Sequence, residues 1–595
     1  MTLALGVAYA IIAGAWYWSY RNGPFAQDDP GLLSFLQDPS RSWLDRMTGT
    51  DANRLRPVTN LGYMFIHAIA GNAFVGWWLF NMLLLGTLAA LSALLVMRIS
   101  RSTVLGVAVG LLITTSRFSE YQAVTATGVV EALANILFVV VAGGLIMYYA
   151  QRRPAGLIIS AVAFLLLVFT YERYQLVAVA LIAIVWFLPD LSRRARIGWS
   201  SIFLAPVLLL NAVKMLVYGM PLLVGTGTAT EIGFSGDTTW AHVVSAGAQL
   251  FGINWGPSYM VGTPFTDMTA PMQAAGFLLA ALTVLVFLSP AERAIADSTA
   301  ARGALRRVVM LCLIGLMGVS LLVPIVITSR LDQRWLVTLS VLMLGCIAYL
   351  ARRALLGGPI RRVATWTLLS AFTFLTLVMN VQYRGAMDNL HFISSKASAE
   401  GLITQLTPAW IKAGKAPLYV VDSAGNPGYE PSFNMVMQAN TDEGTRSVHT
   451  VTSLADVPRD PRNLAAFFVP GGTGTLERID APTQGVPPLI TDGEIYPDGW
   501  VGEQFSAAVT NANCKAVLIR VEPSLWDANI FTVSSNFGFG TRRALERQVL
   551  NLRVAVPGPG AIVTVRFSRT WVPKTINAGD DMRRLATHAR VRCAP

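Results

Sequence analysis

The sequence is dominated by apolar runs that recur through the first 380 residues and are long enough to cross a lipid bilayer. A helix needs about 20 mostly apolar residues to span the hydrocarbon core, and somewhat fewer when its ends lie among the headgroups. We therefore predict an α-helical polytopic membrane protein with about eleven transmembrane helices. The predicted spans are about 2–19, 73–97, 103–116, 129–150, 155–170, 174–188, 199–218, 274–288, 308–327, 336–350 and 364–381.

The net charge of +12 raises the question of a nucleic-acid partner, which the distribution of charge argues against. Only 13% of the residues are charged, whereas a soluble domain averages about 25%. Much of the basic excess lies in short clusters between apolar runs, as in the cytoplasmic loops of membrane proteins. We therefore expect a lipid bilayer and no nucleic acid as partner. The clusters are Arg98 with Arg101, Arg152 with Arg153, Arg193 with Arg194 and Arg196, Arg293 with Arg302, Arg306 and Arg307, and Arg352 with Arg353, Arg361 and Arg362.

These clusters also predict the orientation of the chain in the membrane. If they are cytoplasmic, the N-terminus is cytoplasmic, and an odd number of crossings places residue 382 onward outside. The first apolar run lacks a basic segment before it, so we interpret it as a retained signal-anchor and not a cleaved signal peptide. The prediction is a multi-pass protein of the plasma (inner) membrane with an extracytoplasmic C-terminal domain.

We expect a transmembrane domain over residues 1–384, with long exterior loops at 20–72 and 219–272. In the first loop, 57–72 is apolar and amphipathic, which predicts a helix lying at the outer membrane interface. Residues 31–37 predict a shorter helix. The sequence shows no internal repeat of the kind that marks many transporters.

The C-terminal part divides into two predicted extracytoplasmic portions. Residues 385–494 mix helix-like and strand-like runs, which predicts an α/β segment. Residues 495–595 contain short alternating strands separated by Gly and Pro turns, which predicts a β-sandwich or jelly-roll-like domain. The predicted helices are 388–413 and about 432–439, and the predicted strands are 418–422, 465–470, 516–521, 530–535, 549–556 and 561–567.

Two cysteines, Cys514 and Cys593, fall in this C-terminal part, whereas Cys312 and Cys346 fall inside predicted spans. An extracytoplasmic domain lies in an oxidising compartment, so a Cys514–Cys593 disulfide is expected. The alternative is two free, buried thiols.

The adjacent carboxylates Asp28 and Asp29 stand in the first exterior loop, about ten residues past the first span. Two carboxylates near a membrane face suit a general base or a metal site. The alternative is a structural turn, because Asp-Pro pairs are common at turns and caps.

Arginines at the exterior ends of spans are disfavoured by the positive-inside rule and so need another explanation. Arginine binds phosphate through paired hydrogen bonds, so together they favour an anionic ligand such as a lipid-linked phosphate. The alternative is local pairing, of Arg173 with Glu172 or Glu131 and of Arg330 with Asp332. These exterior arginines are Arg117, Arg173, Arg330 and Arg334.

Other polar residues give weaker signals. Lys214 lies near the outer end of a span, where we expect its long side chain to reach the interface. The five histidines lack metal-ligand spacing and are taken as structural, with His242 in the second long loop as the exception that remains a candidate.

Several motifs follow one another in an order that resembles bacterial members of the GT-C superfamily of membrane glycosyltransferases. The series runs from Asp28-Asp29 through Arg56-Pro57 and the interfacial helix to GNAFVGWWLFNMLLL, with Asn81 inside the second span. Residues 117–138 (RFSEYQAVTATGVVEALANILF), TYER at 170–173 and Arg334-Trp335 also resemble family loops. The C-terminal pieces DGWVG (498–502) and WVPKTINAGDDMRRLA (571–586) resemble β-rich exterior domains of some members, which would bind acceptor glycan or act as a lid or scaffold.

The resemblance implies transfer of a sugar from a polyprenyl-phosphate-linked donor to an extracytoplasmic glycan or lipid acceptor, with inversion. Asp28 or Asp29, with a slight preference for Asp28, would activate the acceptor or hold a divalent cation (Mg or Mn). The loop after the third span lacks an acidic pair, which leaves metal dependence open. The exterior arginines would hold the donor phosphate, and the further site candidates are Arg56, Glu131, Glu172 and His242.

Two alternatives remain at this point. A transporter or flippase of lipid-linked sugars would need charges at mid-membrane depth and repeat symmetry, whereas the charges here cluster at the outer face. A polymerase or ligase of glycan chains would share the donor chemistry.

The predicted orientation is testable with a topology reporter. We expect alkaline phosphatase fused after Arg384 to be active, because that enzyme folds only outside the cytoplasm, and a fusion after Arg153 to be inactive. An active cytoplasmic reporter at Arg384 would overturn both the span count and the placement of the site.

Overall fold

The computed structural model describes most of the membrane part and much of the C-terminal part. The described residues are 2–25, 28–51, 54–188, 190–219, 236–251, 276, 280, 298–327, 331–355, 358–385, 393, 396, 400, 418–421, 448–451, 467–470, 476–478, 489–496, 499–510, 512–522, 529–545, 549–572 and 583–594.

The chain forms two compact units, of which the first comprises Met1–Gly23 with Leu32–Ser394. Its secondary structure is almost entirely helical, with one short hairpin of β1 (Thr50–Asp51) and β2 (Arg54–Leu55). The helices are α1 (Thr2–Trp16), α2 (Asp29–Gln37, which begins in the second unit), α3 (Trp43–Thr48), α4 (Pro57–Ala70), α5 (Phe74–Ser100), α6 (Thr103–Thr114), α7 (Glu120–Val124), α8 (Val129–Gln151), α9 (Ala155–Thr170), α10 (Val177–Phe187), α11 (Arg193–Tyr218), α12 (Gly236–Leu250), α13 (Ser298–Val326), α14 (Val337–Leu355) and α15 (Pro359–Gly385).

The protein is a helical membrane protein with a C-terminal β domain. Among the described residues, five helical stretches are long and apolar enough to cross a bilayer, and four shorter apolar helices accompany them. Ten of the eleven predicted spans coincide with described helices, while the span predicted at 274–288 lies outside the described residues except for Gly276 and Ala280. The five long stretches are Phe74–Ser100, Ala126–Gln151, Arg193–Tyr218, Gln333–Arg352 and Pro359–Arg384.

Small residues let neighbouring membrane helices approach closely. A Cβ atom on Gly144 of α8 would lie 2.5 Å from the carbonyl oxygen of Gly156 of α9, and one on Gly156 would lie equally close to the carbonyl oxygen of Gly144. Between lipid-embedded helices, packing and not hydrophobicity drives association, so glycine-mediated contact stabilises the pair. A side chain at either position would force α8 and α9 apart.

The helix predicted at 57–72 is present as α4, which starts with Pro57 in its first turn, where a missing N–H costs no hydrogen bond. Thr59 donates a hydrogen bond to the carbonyl oxygen of Thr170, 2.8 Å away, and Tyr63 donates one to that of Thr127 at the same distance. These contacts tie α4 to the ends of membrane helices. The segment predicted at 31–37 is the body of α2.

The second unit comprises Pro24–Gly31 with Ser395–Pro595 and contains two sheets. The smaller has the order β4-β3-β5-β6, with parallel pairing of β3 to β4 and β5, which is typical of α/β structure. Its strands are β3 (Leu418–Val421), β4 (Val448–Val451), β5 (Phe467–Pro470) and β6 (Leu476–Arg478). The helices predicted at 388–413 and 432–439 lie largely or wholly outside the described residues, and the predicted domain boundaries stay predictions.

The larger sheet is antiparallel, with the order β11-β10-β13-β8-β14-β9-β12 and β7 also paired to β8. All four strands predicted after residue 495 are present, within a residue or two of their predicted ends. The larger sheet contains β7 (Leu489–Ile495), β8 (Trp500–Val509), β9 (Ala516–Val521), β10 (Asn529–Ser535), β11 (Gly540–Leu545), β12 (Leu550–Ala555), β13 (Ile562–Phe567) and β14 (Thr587–Ala594).

One hydrophobic core holds the two halves of this larger sheet together. Phe505 and Phe531 come from the β8–β13–β10 half, and Ile519 and Val554 from the β9–β12 half, and all four are buried in the same cluster. Alternation of inward apolar and outward polar residues along each strand produces this core.

Cys514 and Cys593 are joined in a disulfide, with their Cα atoms 5.5 Å apart. The bond fastens the end of β14 to the residues that lead into β9, beside the pairing of Cys593 with Val517. Cys514 is fully buried against the core, so the cross-link lies within the packed part of the domain.

Loss of this disulfide should destabilise the C-terminal domain. A Cys514→Ser, Cys593→Ser variant frees a loop of 79 residues in the unfolded chain, so we expect a loss of about 3–5 kcal/mol in the free energy of unfolding. Denaturant titration followed by tryptophan fluorescence measures it. The matched control is Cys312→Ser, Cys346→Ser, which removes the two free thiols. Equal unfolding midpoints for the two variants would contradict the prediction.

Candidate functional site

Three short turns place charged residues at the ends of membrane helices. The turns are Arg117–Ser119 after α6, Glu172–Leu176 after α9 and Gln333–Leu336 before α14. At the second, Tyr171 leaves helical geometry at a φ of −153°, which ends α9 and turns its successor residues toward the neighbouring helices. The polar side chains of these turns are mostly buried, so their partners determine what the region can bind.

Arg173 and Glu131 form a buried ion pair at the start of α8. Arg173 Nη2 lies 2.7 Å from Glu131 Oε2 and also donates to the Tyr174 hydroxyl at 3.0 Å. Burial alone would lower the pKa of Arg173, but Glu131 raises it above its ordinary value, so the guanidinium keeps its charge. One of the two local pairings considered for Arg173 is thus present.

The aromatic ring of Tyr171 carries two cations. The guanidinium carbon of Arg56 lies 4.4 Å from the ring centroid and that of Arg173 lies 4.5 Å from it. An arginine over a tyrosine face gains a cation–π attraction that strengthens when water is excluded. The Tyr171 ring thereby contacts two positively charged side chains.

Both of these arginines retain unused hydrogen-bond donors. Among the described residues, Arg56 Nε and Nη2 and Arg173 Nη1 are buried and have no hydrogen-bond partner. Buried donors are almost always satisfied, so each buried donor without a partner needs an explanation, such as a water or an ion. Arg56 and Arg173 thus present three such N–H-bearing atoms beside the Tyr171 ring, and we refer to these three residues as the arginine cradle.

Arg334, in the turn before α14, also belongs to this region. Its guanidinium carbon is 3.8 Å from the centroid of the Tyr121 ring, and its Nε lies 2.8 Å from Asp332 Oδ2. Glu131 interacts electrostatically with Arg173, Arg334 and Arg56. Three arginines from three segments of the sequence therefore accompany two buried carboxylates, Glu131 and Asp332, which leaves an excess of one positive charge.

Glu172 points away from Arg173 and has its own cation. Lys214 Nζ lies 2.6 Å from Glu172 Oε2, and the Leu55 backbone N–H donates to Oε1 at 2.7 Å. The expectation that Lys214 extends to the interface is wrong, because its side chain is fully buried. A buried ammonium needs a carboxylate to offset its desolvation, and Glu172 on the adjacent turn supplies it.

Arg117 belongs to a separate polar cluster. It donates through Nη2 to the carbonyl oxygen of Gln249 on α12 and interacts electrostatically with Glu120 and Tyr383. Burial lowers the pKa of Arg117 to about 10, while Tyr383 and Glu120 oppose that shift. Burial also raises the pKa of Glu120 well above its ordinary value, which favours its neutral form. Arg117 is therefore committed within the protein and is not among the arginines of the cradle.

Asp28 and Asp29 lie in the second unit and differ in their exposure to solvent. Asp28 is exposed, whereas Asp29 is fully buried and begins α2, where a carboxylate is favoured by the helix dipole. Asp29 also interacts with the buried Lys396, whose pKa burial lowers to about 7 against the effect of Asp29. Asp29 thus has a structural partner, and Asp28 is the more accessible carboxylate.

The remaining candidates are placed as follows. His242 lies on α12, with Nδ1 3.2 Å from the carbonyl oxygen of Val326. Arg330 lies outside the described residues. Asp332, which was considered as its partner, pairs with Arg334. Within the described part of the chain, no group of three His, Cys, Asp or Glu residues could hold a metal ion, and Asp28 and Asp29 stay the candidate ligands.

Sequence reasoning did not assign a role to Tyr171, Tyr121 or Lys214 in this site. Tyr171 had a signal, since it stands in the TYER motif directly before two charged residues. Tyr121 follows Glu120 in α7, just after the turn that ends α6, and an aromatic residue at an outer membrane face is common for other reasons. Stacking of arginine on these rings depends on side-chain geometry that spacing does not contain.

No protein-family model and no curated protein matches the sequence. Solved structures do resemble the chain. Arabinofuranosyltransferase AftD from Mycobacteria has 13% identity and a TM-score of 0.40, and the match covers 99% of this chain and 60% of AftD. ArnT from Cupriavidus metallidurans, bound to undecaprenyl phosphate, has 14% identity and a TM-score of 0.39 over 79% of this chain and 93% of ArnT.

Arabinosyltransferase EmbB from Mycobacterium smegmatis has 13% identity and a TM-score of 0.30, over 99% of this chain and 64% of EmbB. This chain thus spans less than two thirds of the length of AftD and of EmbB.

The Lys214–Glu172 pair should be required for folding of this region. Lys214→Met leaves a buried carboxylate without a cation, so we expect a loss of about 3–5 kcal/mol in stability, seen as a lower thermal unfolding temperature in detergent. A Lys214→Met, Glu172→Gln variant should recover much of that loss. If Lys214→Met alone unfolded like the wild-type protein, the buried pair would not be a stabilising contact.

Proposed function

We propose that this protein is a membrane glycosyltransferase that moves a sugar from a polyprenyl-phosphate donor to an extracytoplasmic glycan or lipid acceptor. The observation that carries the proposal is the pair Arg56 and Arg173 on the Tyr171 ring, with buried donors left unused. A phosphate oxygen is the acceptor that such guanidinium N–H groups bind best.

We propose that the arginine cradle stabilises the phosphate as it leaves the sugar. Departure of polyprenyl phosphate from the anomeric carbon leaves negative charge on the phosphate oxygens. Arginine donors that are fixed before the reaction stabilise that charge without further reorganisation. The ion pair with Glu131 fixes the position of Arg173, while Arg173 Nη1 has no hydrogen-bond partner among the described residues.

Asp28 is the proposed general base, with Asp29 as the alternative. It would take the proton of the acceptor hydroxyl while that oxygen attacks the anomeric carbon, and the bond from that carbon to the phosphate oxygen would break in the same step. One displacement inverts the anomeric centre. Support for Asp28 over Asp29 comes from exposure, since Asp29 is buried with Lys396. A divalent cation that takes part in the reaction would bind at Asp28 or Asp29.

Removal of Arg56 should weaken donor binding and leave the fold intact. We expect Arg56→Gln to lower affinity for farnesyl phosphate, a short polyprenyl phosphate, by about 10–100-fold, because hydrogen bonds to a charged group contribute about 1.5–3 kcal/mol. Calorimetry on the detergent-purified chain measures it.

Arg41→Gln is the matched control. Arg41 also stacks on an aromatic ring, that of Phe35, but its guanidinium is paired with Asp38. Its replacement should leave affinity for farnesyl phosphate unchanged. Equal affinities of wild type and Arg56→Gln would remove the phosphate site from the proposal.

Replacement of the base should abolish transfer without unfolding the protein. Asp28→Asn keeps the size of the side chain and removes its charge, so we expect the release of free polyprenyl phosphate from membrane-derived sugar donors to fall about 10²–10⁴-fold. Asp38→Asn, in the same loop, is the control. Normal release of polyprenyl phosphate by an Asp28→Asn, Asp29→Asn variant would exclude both carboxylates as the general base. If the wild-type protein released no polyprenyl phosphate, it would behave as a transporter and not as a transferase.

A further inference from the structure

An apolar cavity of about 360 Å³ lies between α6, α14 and α15. It is lined by Val109 and Leu112 of α6, Ile347 of α14, and Leu369 and Phe374 of α15. α14 and α15 overlap two of the stretches that are apolar and long enough to cross a bilayer, and α6 is one of the shorter apolar helices. A hydrocarbon chain fits such a space, since the wall is apolar except for Ser370, Thr373 and the indole of Trp366.

The cavity adjoins a second, smaller one of about 40 Å³, and the two share Leu112, Leu344 and Phe372 in their walls. The smaller cavity has a polar wall that includes Asn380 and Gln249. The whole space is therefore amphipathic, with a long apolar part and a short polar end.

Two amide atoms at the polar end have unmet hydrogen bonds. Asn380 Nδ2, a donor, and Gln249 Oε1, an acceptor, are buried and have no partner among the described residues. Both side chains are almost completely buried. A hydroxyl both donates and accepts one hydrogen bond, so it matches one amide donor beside one amide acceptor.

The same end is poorly suited to a phosphate. Arg117, the cation in its wall, already donates to the Gln249 carbonyl oxygen and interacts with Glu120. Unused guanidinium donors occur instead at Arg56 and Arg173, in the other cluster. The two polar regions thus differ in the ligand chemistry that they offer.

We propose that these joined cavities bind a lipid whose chain lies between α6, α14 and α15 and whose hydroxyl group hydrogen-bonds Asn380 and Gln249. Together with the proposed function, on which this step rests, the site selects a hydroxyl-bearing lipid as the acceptor. The turn that contains Arg117 packs against the turn that contains Arg334. The polar end of the joined cavities therefore lies near the arginines that are proposed to bind the donor phosphate.

Photo-crosslinking of the full chain in phosphatidylcholine nanodiscs tests the proposal. The probes are a long-chain diazirine alcohol, the diazirine hydrocarbon of the same length and the diazirine alkyl phosphate of the same length. We expect the alcohol to label peptides of α6 and α15 in preference to the other two probes. Mass spectrometry of the labelled peptides gives the preference.

Two variants separate the chain site from the headgroup site. Ala108→Phe, in the cavity wall, should reduce labelling by all probes about tenfold or more, as expected for a loss of at least 1.4 kcal/mol. Val363→Phe is its control, on an exposed face of α15. Asn380→Leu should keep labelling by the hydrocarbon and lower the preference for the alcohol about 3–10-fold.

Unchanged labelling of Ala108→Phe would overturn the chain site, and stronger labelling of these peptides by the alkyl phosphate than by the alcohol would overturn the hydroxyl assignment. An unaltered alcohol preference in Asn380→Leu would do the same. Selective alcohol labelling supports the lipid site even if the wild-type protein releases no polyprenyl phosphate. A lack of polyprenyl phosphate release would contradict only the proposed transferase function, whereas a lack of selective alcohol labelling would contradict only the lipid site.

Discussion

The cost of burying charge governs the helical unit. Glu131, Glu172 and Lys214 are almost or fully buried, and each has an oppositely charged partner within 2.7 Å. An isolated charge there would be unstable, so each pair fixes the position of two chain segments at once. The Glu172 pair also holds the Leu55 backbone, immediately before Arg56. The location of Arg56 therefore depends on the neutralisation of Glu172.

Positive charge exceeds negative charge in this region, and aromatic rings accommodate the excess. The guanidinium groups of Arg56 and Arg173 stack on the Tyr171 ring, and that of Arg334 stacks on the Tyr121 ring. A ring face attracts a cation without accepting its N–H groups, so the guanidinium donors stay available for an anion. A carboxylate in the same position would occupy those donors. Arg56 and Arg173 therefore keep unused donors beside the Tyr171 ring, whereas Arg117 donates to a carbonyl oxygen.

Much of the fold follows from sequence periodicity, while the site follows from it only in part. Apolar length predicted the helices, and strict alternation predicted β9, β10, β12 and β13, because burial imposes both patterns. The positive-inside rule singled out Arg173 and Arg334 as arginines that need an explanation.

Spacing could not distinguish Arg117, whose partner Gln249 is more than a hundred residues away and reaches it only through tertiary packing. The same limit explains Lys214, since a lysine near a helix end reaches water unless a carboxylate such as Glu172 is folded against it. Asp28 and Asp29 are adjacent in sequence, yet burial separates them, and a dipeptide contains no information about burial.

The proposed phosphate site is tested most directly by an experimental structure of the full chain with bound farnesyl phosphate. We expect phosphate oxygens within about 3 Å of Arg56 and of Arg173 Nη1, with both guanidinium groups still against the Tyr171 ring. A phosphate bound at Arg117, or bound elsewhere without contact to Arg56 and Arg173, would contradict the proposed site.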